Sequence, residues 1–193
     1  KEYNKKFPVS YFFKENEGPS IGRNYGAERT KGEYLIFTDS DCILPNNYLS
    51  TIASKITEDV QGYGGPDESH PDFNDMQKAI SYSMTSTLTT GGIRGRKKKE
   101  KNYVLRSFNM IILKEAFLKM GGFPTTKLHP GEDTIFGIDF LKAGYKTKII
   151  PEAHVYHKRR NSIKSFYKQI SNFGKVRYLI TKLYPETFKI TFS

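Results

Sequence analysis

Apolar residues occur along the chain in two patterns, short continuous runs and stripes at helical spacing. The run at residues 34–37 is short and Gly32 precedes it, which predicts a buried strand. Residues 60–66 are also predicted to form a strand, whose glycines indicate that another group approaches the backbone closely. Further strands are predicted over residues 8–14, 145–150 and 151–156, with one or two more within residues 103–113. Strands that alternate with helical stripes indicate the α/β class.

Helices are predicted where apolar residues recur every three or four positions or where a proline suits a first turn. In chain order they cover residues 19–32, 45–58, 114–120 and 132–144, with a stripe of Phe73, Met76, Ile80, Met84 and Leu88 between the second and third. A long basic amphipathic helix begins at Ile163, with Phe166, Ile170, Phe173, Ile180 and Leu183 as its apolar positions. Such a helix either packs on the domain or lies on a membrane surface.

The predicted strand at residues 34–37 ends at two carboxylates, Asp39 and Asp41, just before the helix that starts near Pro45. In open α/β sheets, the loops that follow the carboxyl ends of strands bind ligands, and carboxylate oxygens suit Mg²⁺ or Mn²⁺. This stretch therefore predicts a metal and phosphate site. Two other readings stay open, namely aspartates that only form a turn or cap a helix, and a phosphatase with Asp39 as nucleophile.

A second acidic pair, Glu132 and Asp133, opens a predicted helix far along the chain. Acidic residues in a first turn are favoured by the helix dipole alone. Together with the first pair they match what metal-assisted group transfer needs, which is carboxylates for the metal and a separate carboxylate for proton removal.

Basic residues give the chain a formal net charge of +11, which indicates anionic partners. Residues 89–101 form a glycine-rich basic loop containing Arg94 and Arg96, either a solvated segment or a diphosphate clamp. The loop lacks interleaved aromatic residues, so no nucleic-acid partner is expected. His157 follows a strand and precedes three cations, as expected of a metal ligand or a diphosphate contact. His154 points to another face, so at most one of the two histidines belongs to the site.

The single cysteine, Cys42, and the lack of a long apolar run predict a cytoplasmic location, at the inner face of a membrane if the basic helix binds there. Cys42 itself is interpreted as a packing residue. The length of 193 residues predicts one globular domain.

Five motifs in order resemble the family 2 glycosyltransferases of the GT-A fold, over most of the chain. They are Glu17-Gly-Pro-Ser-Ile-Gly-Arg23-Asn24-Tyr-Gly26, Gly32-Glu-Tyr-Leu-Ile-Phe-Thr-Asp39-Ser-Asp41, Asn109-Met with Gly121-Gly-Phe123, Gly131-Glu132-Asp133 and Gly144-Tyr-Lys. The resemblance implies a mixed, mostly parallel sheet flanked by helices. Residues 1–66 would form the donor and metal side, and residues 67–193 the acceptor side with the amphipathic helix.

The resemblance also implies roles for individual residues. Asp41 would bind Mn²⁺ or Mg²⁺, and Asp39 the ribose, the metal or both. Asp133 would be the catalytic base of an inverting transfer from a nucleotide sugar to a saccharide or lipid-linked acceptor, with Glu132 in support. The remaining implied site residues are Arg23, Asn24, Arg94 and Arg96 for the donor and His157 for the metal, with Arg159 as a further cation near the leaving group.

One departure from the family concerns the start of the domain. The first predicted strand, at residues 8–14, matches the third strand of a complete member, so the Rossmann-like half is expected to be incomplete and the chain to be a fragment. Open sheet edges then predict self-association. Two alternatives to sugar transfer are a non-catalytic basic module that binds anionic lipid or nucleic acid, and the Asp-x-Asp phosphatase.

Overall fold

Six helices and seven strands make up the described part of the chain. The computed structural model describes residues 9–86, 102–125 and 130–185. The helices are α1 (Pro19–Arg29), α2 (Tyr48–Ala53), α3 (Asp75–Thr85), α4 (Lys114–Lys119), α5 (Glu132–Lys142) and α6 (Ile163–Leu183). The strands are β1 (Tyr34–Thr38), β2 (Cys42–Ile43), β3 (Gly62–Gly64), β4 (Asp67–Glu68), β5 (Asn109–Leu113), β6 (Thr147–Ile149) and β7 (Val155–His157).

The strands form two mixed sheets, in the orders β1-β5-β3-β6 and β2-β7-β4. The α/β class with a mixed sheet is confirmed. The expected excess of parallel pairing is wrong for the described strands, because β5 runs antiparallel to both of its neighbours and β2 runs antiparallel to β7. Only β3 with β6 and β4 with β7 are parallel among these strands.

Side chains from β5 alternate between two hydrophobic layers, one on each face of the larger sheet. Met110 and Ile112 join a layer with α4 and α5 that contains Phe117, Phe123, Phe136 and Phe140. Ile111 points to the other layer, with Tyr48 and Ile52 of α2. Because side chains of β5 point alternately into these two layers, residues 110–113 are all apolar, and only Asn109 at the start of the strand is polar.

The strand predicted over residues 8–14 is wrong in its described part, because residues 9–14 form no strand. Tyr11 and Phe13 are largely exposed there. A strand requires a partner for its backbone N–H and C=O groups, and among the described strands β1 pairs only with β5. The described residues 9–14 therefore add no strand beside β1.

Several predicted elements occur with shorter bounds. The second helix begins at Tyr48 instead of Pro45. Of the one or two strands predicted within residues 103–113, only β5 forms. The helical stripe predicted before β5 corresponds to α3, although Phe73 precedes the helix. Reciprocal hydrogen bonds between Asn74 and Gln77 cap the start of α3. The loop at residues 89–101 and Leu88 lie outside the described residues.

The two sheets meet where β3 continues into β4, at Gly65. The Asn109 side chain is fully buried there, donating from Nδ2 to the Ala153 carbonyl at 2.8 Å and accepting from the Tyr48 hydroxyl at 2.6 Å. A Cβ atom at Gly65 would overlap the Ala153 carbonyl oxygen, so no side chain fits at this crossing. The close approach fixes the smaller sheet, which carries His157, against the larger one.

We therefore expect Gly65→Ala to lower the free energy of unfolding by roughly 3 kcal/mol or more, because backbone atoms must move to admit the methyl group. Gly26→Ala in α1 is the matched control, since its Cβ would meet no atom within 4 Å. The control should raise stability by about 0.5–1 kcal/mol through helix propensity. Urea unfolding of both variants measures the difference, and equal stabilities would contradict the proposed crossing.

Candidate active site

The pairing register of two short strands brings the first acidic motif to His157. Asp39 and Asp41 follow β1 in a turn closed by a 3.0 Å hydrogen bond from the Cys42 N–H to the Asp39 carbonyl. β2 then pairs antiparallel with β7, so that Cys42 lies opposite His157. Residues that are more than a hundred positions apart therefore meet at the end of β1.

The nearest pair across this junction is Asp41 with His157. Asp41 Oδ1 lies 3.3 Å from His157 Nε2, and the Asp41 side chain is 47% exposed. Asp41, His157 and Cys42 offer oxygen, nitrogen and sulfur atoms that all lie within 4.8 Å of one another. A carboxylate and an imidazole are suitable donors for Mn²⁺, and a half-exposed carboxylate leaves space for a ligand.

Cys42 does not fit as a third metal donor. Its soft sulfur suits Zn²⁺ or Cu(I), whereas Mn²⁺ and Mg²⁺ prefer oxygen ligands. Burial, followed by the negative charge of Asp39, raises the pKa of the free thiol to about 12. Its sulfur lies 3.8 Å from the Phe108 carbonyl oxygen, where the S–H can donate. Cys42 is thus a packing residue, as its sequence context predicts, and the candidate metal donors are Asp41 and His157.

A buried ion pair stands behind His157. Asp67 of β4 is fully buried and pairs with the equally buried Arg159. Its Oδ2 lies 3.7 Å from His157 Nδ1, on the opposite side of the ring from Asp41. This separation is longer than a hydrogen bond, but the negative charge of Asp67 still favours a proton on Nδ1, which leaves Nε2 free to bind a metal.

Sequence reasoning missed Asp67. The available signals are the acidic pair that it forms with Glu68 and its position directly after the Gly64-Gly65-Pro66 run. Arg159, considered above as a cation near the leaving group, lies inside the protein against Asp67 instead of facing a cleft.

Arg23 of α1 joins the first acidic motif to the second. Its Nη2 donates to Asp39 Oδ1 and its Nη1 to Glu132 Oε1, each at 3.0 Å. The Glu132 side chain is only 7% exposed, and its Oε2 accepts from the Gly131 N–H at 2.9 Å. Three elements thus meet at one guanidinium, namely α1, the end of β1 and the start of α5. Asp39 is engaged with Arg23, whereas Asp41 faces His157.

Asp133 lies beside this bridge at the start of α5 and is partly exposed. Its Oδ2 accepts from the Ser107 N–H at 3.2 Å, and its Oδ1 from the Thr134 hydroxyl at 3.3 Å. Arg106 donates to the same Thr134 hydroxyl. The loop before β5 therefore fixes the orientation of the Asp133 carboxylate.

Asn24 faces a turn and not the carboxylates. Its Nδ2 donates to the Phe123 carbonyl at 2.9 Å and its Oδ1 accepts from the Phe123 N–H at 2.8 Å. Gly122 has a φ of 74° in that turn, and a Cβ there would collide with the Asn24 amide. Asn24 thus links α1 to the end of α4, and its predicted donor contact stays a prediction.

The remaining predicted site residues divide into two groups. His154 lies 3.8 Å from Glu68 instead of Asp41, consistent with only one histidine at the site. Arg94 and Arg96 lie outside the described residues, so their predicted diphosphate contacts stay predictions.

We expect Arg23→Met to lower the free energy of unfolding by about 2–3 kcal/mol, because the buried Glu132 loses its cation. In a Glu132→Gln background the same change should cost about 1 kcal/mol or less, since a neutral amide needs no counterion. Arg29→Met is the control on the same helix. Its ion pair with Glu28 is exposed, and the change should cost under about 1 kcal/mol.

A double-mutant cycle by urea unfolding measures this coupling. If Arg23→Met lowers the free energy of unfolding equally with Glu132 and with Gln at position 132, the result contradicts the bridge.

Solved structures share this fold. S. aureus TarS residues 1–349 in complex with UDP superposes with a TM-score of 0.59 at 19% identity, covering 93% of this chain and 49% of that chain. The mannosyltransferase PcManGT from Pyrobaculum calidifontis, in complex with GDP-Man and Mn²⁺, gives a TM-score of 0.54 at 16% identity, covering 77% and 39%. These likenesses concern the fold alone, and they confirm the GT-A type predicted from the motifs.

Curated relatives agree with this likeness. An uncharacterized glycosyltransferase of Haemophilus influenzae (strain ATCC 51907 / DSM 11121 / KW20 / Rd) is 28% identical in an alignment 176 residues long that covers 84% of this chain and 55% of the relative. The succinoglycan biosynthesis protein ExoA of Rhizobium meliloti (strain 1021) is 22% identical in an alignment 172 residues long that covers 85% of this chain and 49% of the relative. The chain thus spans about half the length of these relatives.

Residues 1–121 match the sequence model of glycosyl transferase family 2. This segment includes the Arg23-Asn24 and Asp39-Ser-Asp41 motifs and extends into the turn after α4. More than half of the chain is covered by the match, and this chain belongs to glycosyl transferase family 2.

Proposed function

We propose that this chain forms the metal-binding and acceptor-side part of an enzyme that transfers a sugar from a nucleotide-sugar donor to an acceptor hydroxyl. The observation that carries the proposal is the Arg23 bridge, which holds Asp39 and Glu132 within one hydrogen bond each of a single guanidinium. It brings the motif suited to metal and ribose next to the motif suited to proton removal. Family membership supports the reaction class.

Asp41 and His157 are the residues that would hold Mn²⁺ or Mg²⁺. Their donor atoms lie 3.3 Å apart, and the buried Asp67 behind the ring supports Nε2 as the metal-binding nitrogen. A divalent ion held there would supply positive charge to stabilise the nucleoside diphosphate as it leaves. Solved structures of PcManGT with GDP-Man and Mn²⁺ and of GalNAc-T7 with UDP, GalNAc and Mn²⁺ are consistent with this choice.

Asp133 is the better of the two acidic residues for proton removal. Both carboxylates accept two hydrogen bonds, but Glu132 is buried and forms an ion pair with Arg23. Asp133 is partly exposed, and the Ser107 N–H orients it. Glu132 then acts through Arg23 as a supporting residue.

The reaction follows as a direct displacement. Asp133 accepts the proton of the acceptor hydroxyl as that oxygen forms a bond to the anomeric carbon. The bond from that carbon to the phosphate oxygen breaks, and the electron pair leaves with the nucleoside diphosphate. Attack from the side opposite the leaving group inverts the anomeric centre.

The acceptor proposed here is a saccharide or lipid-linked saccharide used in the assembly of a cell-surface polysaccharide. The named role of ExoA in succinoglycan biosynthesis supports this class. The sugar and the nucleotide are read out by screening UDP- and GDP-sugars for nucleoside diphosphate release.

Two substitutions test the site in a protein that contains this chain. Asp41→Ala and Asp133→Asn should each lower the transfer rate by about 100-fold or more, because one removes a metal ligand and the other the base. Asp72→Asn changes an 88% exposed carboxylate and should stay within about twofold of the unmodified protein. Nucleoside diphosphate release in the presence of Mn²⁺ measures all three rates.

Mn²⁺ binding, measured by electron paramagnetic resonance on the chain itself, distinguishes the metal-binding role of Asp41 from the proton-accepting role of Asp133. Asp41→Ala should abolish high-affinity binding, whereas Asp133→Asn should retain it. Rates within a few-fold of the unmodified protein for both variants would overturn the site assignment.

A further inference from the structure

Helix α6 carries charge of one sign only. Its 21 residues include five cations, Lys164, Lys168, Lys175, Arg177 and Lys182, and no aspartate or glutamate. Helices packed on a domain surface normally carry both signs on their solvated face. The charge of α6 is therefore suited to an anionic partner.

One face of α6 packs on the domain. Ile180 is buried against Ile135 and Ile138 of α5, with Val176 beside them. Val176 also lies over Gly131, where any Cβ would collide with it. These contacts fix which side of the helix faces outward.

The outward side carries a stripe of apolar and aromatic residues. Ile163, Tyr167, Ile170 and Tyr178 are spaced by four, three and eight positions, which places them along one line at 3.6 residues per turn. All four are exposed, and Tyr167 reaches 74%. An exposed apolar stripe of this length is unusual for a helix that faces only water.

A row of lysines runs beside the stripe. Lys164, Lys168, Lys175 and Lys182 are spaced by four, seven and seven positions and are all exposed. Each lysine comes one residue after a position on the outward side, which rotates it by roughly a quarter turn around the helix axis. The lysine row therefore lies next to the stripe. Aliphatic stems can cover apolar surface while the ammonium groups reach phosphates.

We propose that this face of α6 binds the surface of an anionic lipid bilayer. Tyrosine and isoleucine would enter the boundary between head groups and acyl chains, and the lysine row would contact lipid phosphates. The combination of an apolar stripe with a lysine row favours lipid over nucleic acid, because a duplex offers phosphates but no apolar layer for Ile163 and Ile170. None of the described helices is long and apolar enough to cross a membrane, and the contact proposed is with the bilayer surface.

This surface is separate from the catalytic proposal, since no residue of the stripe or the lysine row belongs to the site. Vesicle binding can therefore succeed or fail whatever the outcome of the transfer assay.

Tryptophan fluorescence gives a direct test because the chain contains no tryptophan. Tyr167→Trp places a reporter in the stripe, and Tyr82→Trp, in α3, is a matched control at the same exposure of 74%. Vesicles of one third phosphatidylglycerol and two thirds phosphatidylcholine should shift the emission of Tyr167→Trp to the blue and leave that of Tyr82→Trp unchanged. Pure phosphatidylcholine vesicles should shift neither.

Charge reversal tests the lysine row by vesicle co-sedimentation. Lys168→Glu with Lys175→Glu should weaken binding to the phosphatidylglycerol vesicles by about 30-fold or more. The control pair, Lys31→Glu with Lys78→Glu, makes the same change of net charge at exposed positions outside α6 and should weaken binding only a few-fold. Circular dichroism establishes that each variant is folded.

Three results would overturn the proposal. The first is no binding of the folded chain to phosphatidylglycerol vesicles. The second is an equal loss in the α6 pair and the control pair. The third is a Tyr167→Trp shift that appears with a DNA duplex or on dimer formation but not with vesicles, which would assign the face to nucleic acid or to a second copy of the chain.

Discussion

The candidate site depends on one guanidinium, that of Arg23, which is shared by Asp39 and Glu132 at 3.0 Å each. The two contacts differ in how much they stabilise the folded protein. Asp39 is about one third exposed, so its contact is screened by water, whereas Glu132 is buried and needs a cation beside it. Because Glu132 begins α5, this ion pair sets where Asp133 stands relative to the end of β1.

A second constraint positions the candidate metal ligands, Asp41 and His157. The antiparallel register of β2 with β7 places His157 beside Asp41, and the buried pair of Asp67 and Arg159 lies behind the ring. Both strands are very short, so their pairing depends on the larger sheet, to which the crossing at Gly65 and Asn109 joins them. The fold and the proposed chemistry are connected through that crossing.

Local sequence was sufficient for some features and not for others. The apolar run that ends at Asp39 and Asp41 predicts β1 and its loop, because burial and periodicity act within a few residues. The contact of Arg23 with Glu132 and the ion pair behind His157 span 109 and 92 positions, for which periodicity carries no signal. Residues 9–14 have a strand pattern but no strand partner among the described residues, so propensity alone is misleading there.

The most direct test of the central claim is the position of Mn²⁺ in a crystal of a protein that contains this chain, grown with a nucleoside diphosphate and located by anomalous scattering. The account predicts the ion bound by Asp41 and His157 Nε2, with Asp133 facing the same cleft from the side opposite the diphosphate. An ion held by other residues, or an Asp133 carboxylate that faces away from the cleft, would contradict it.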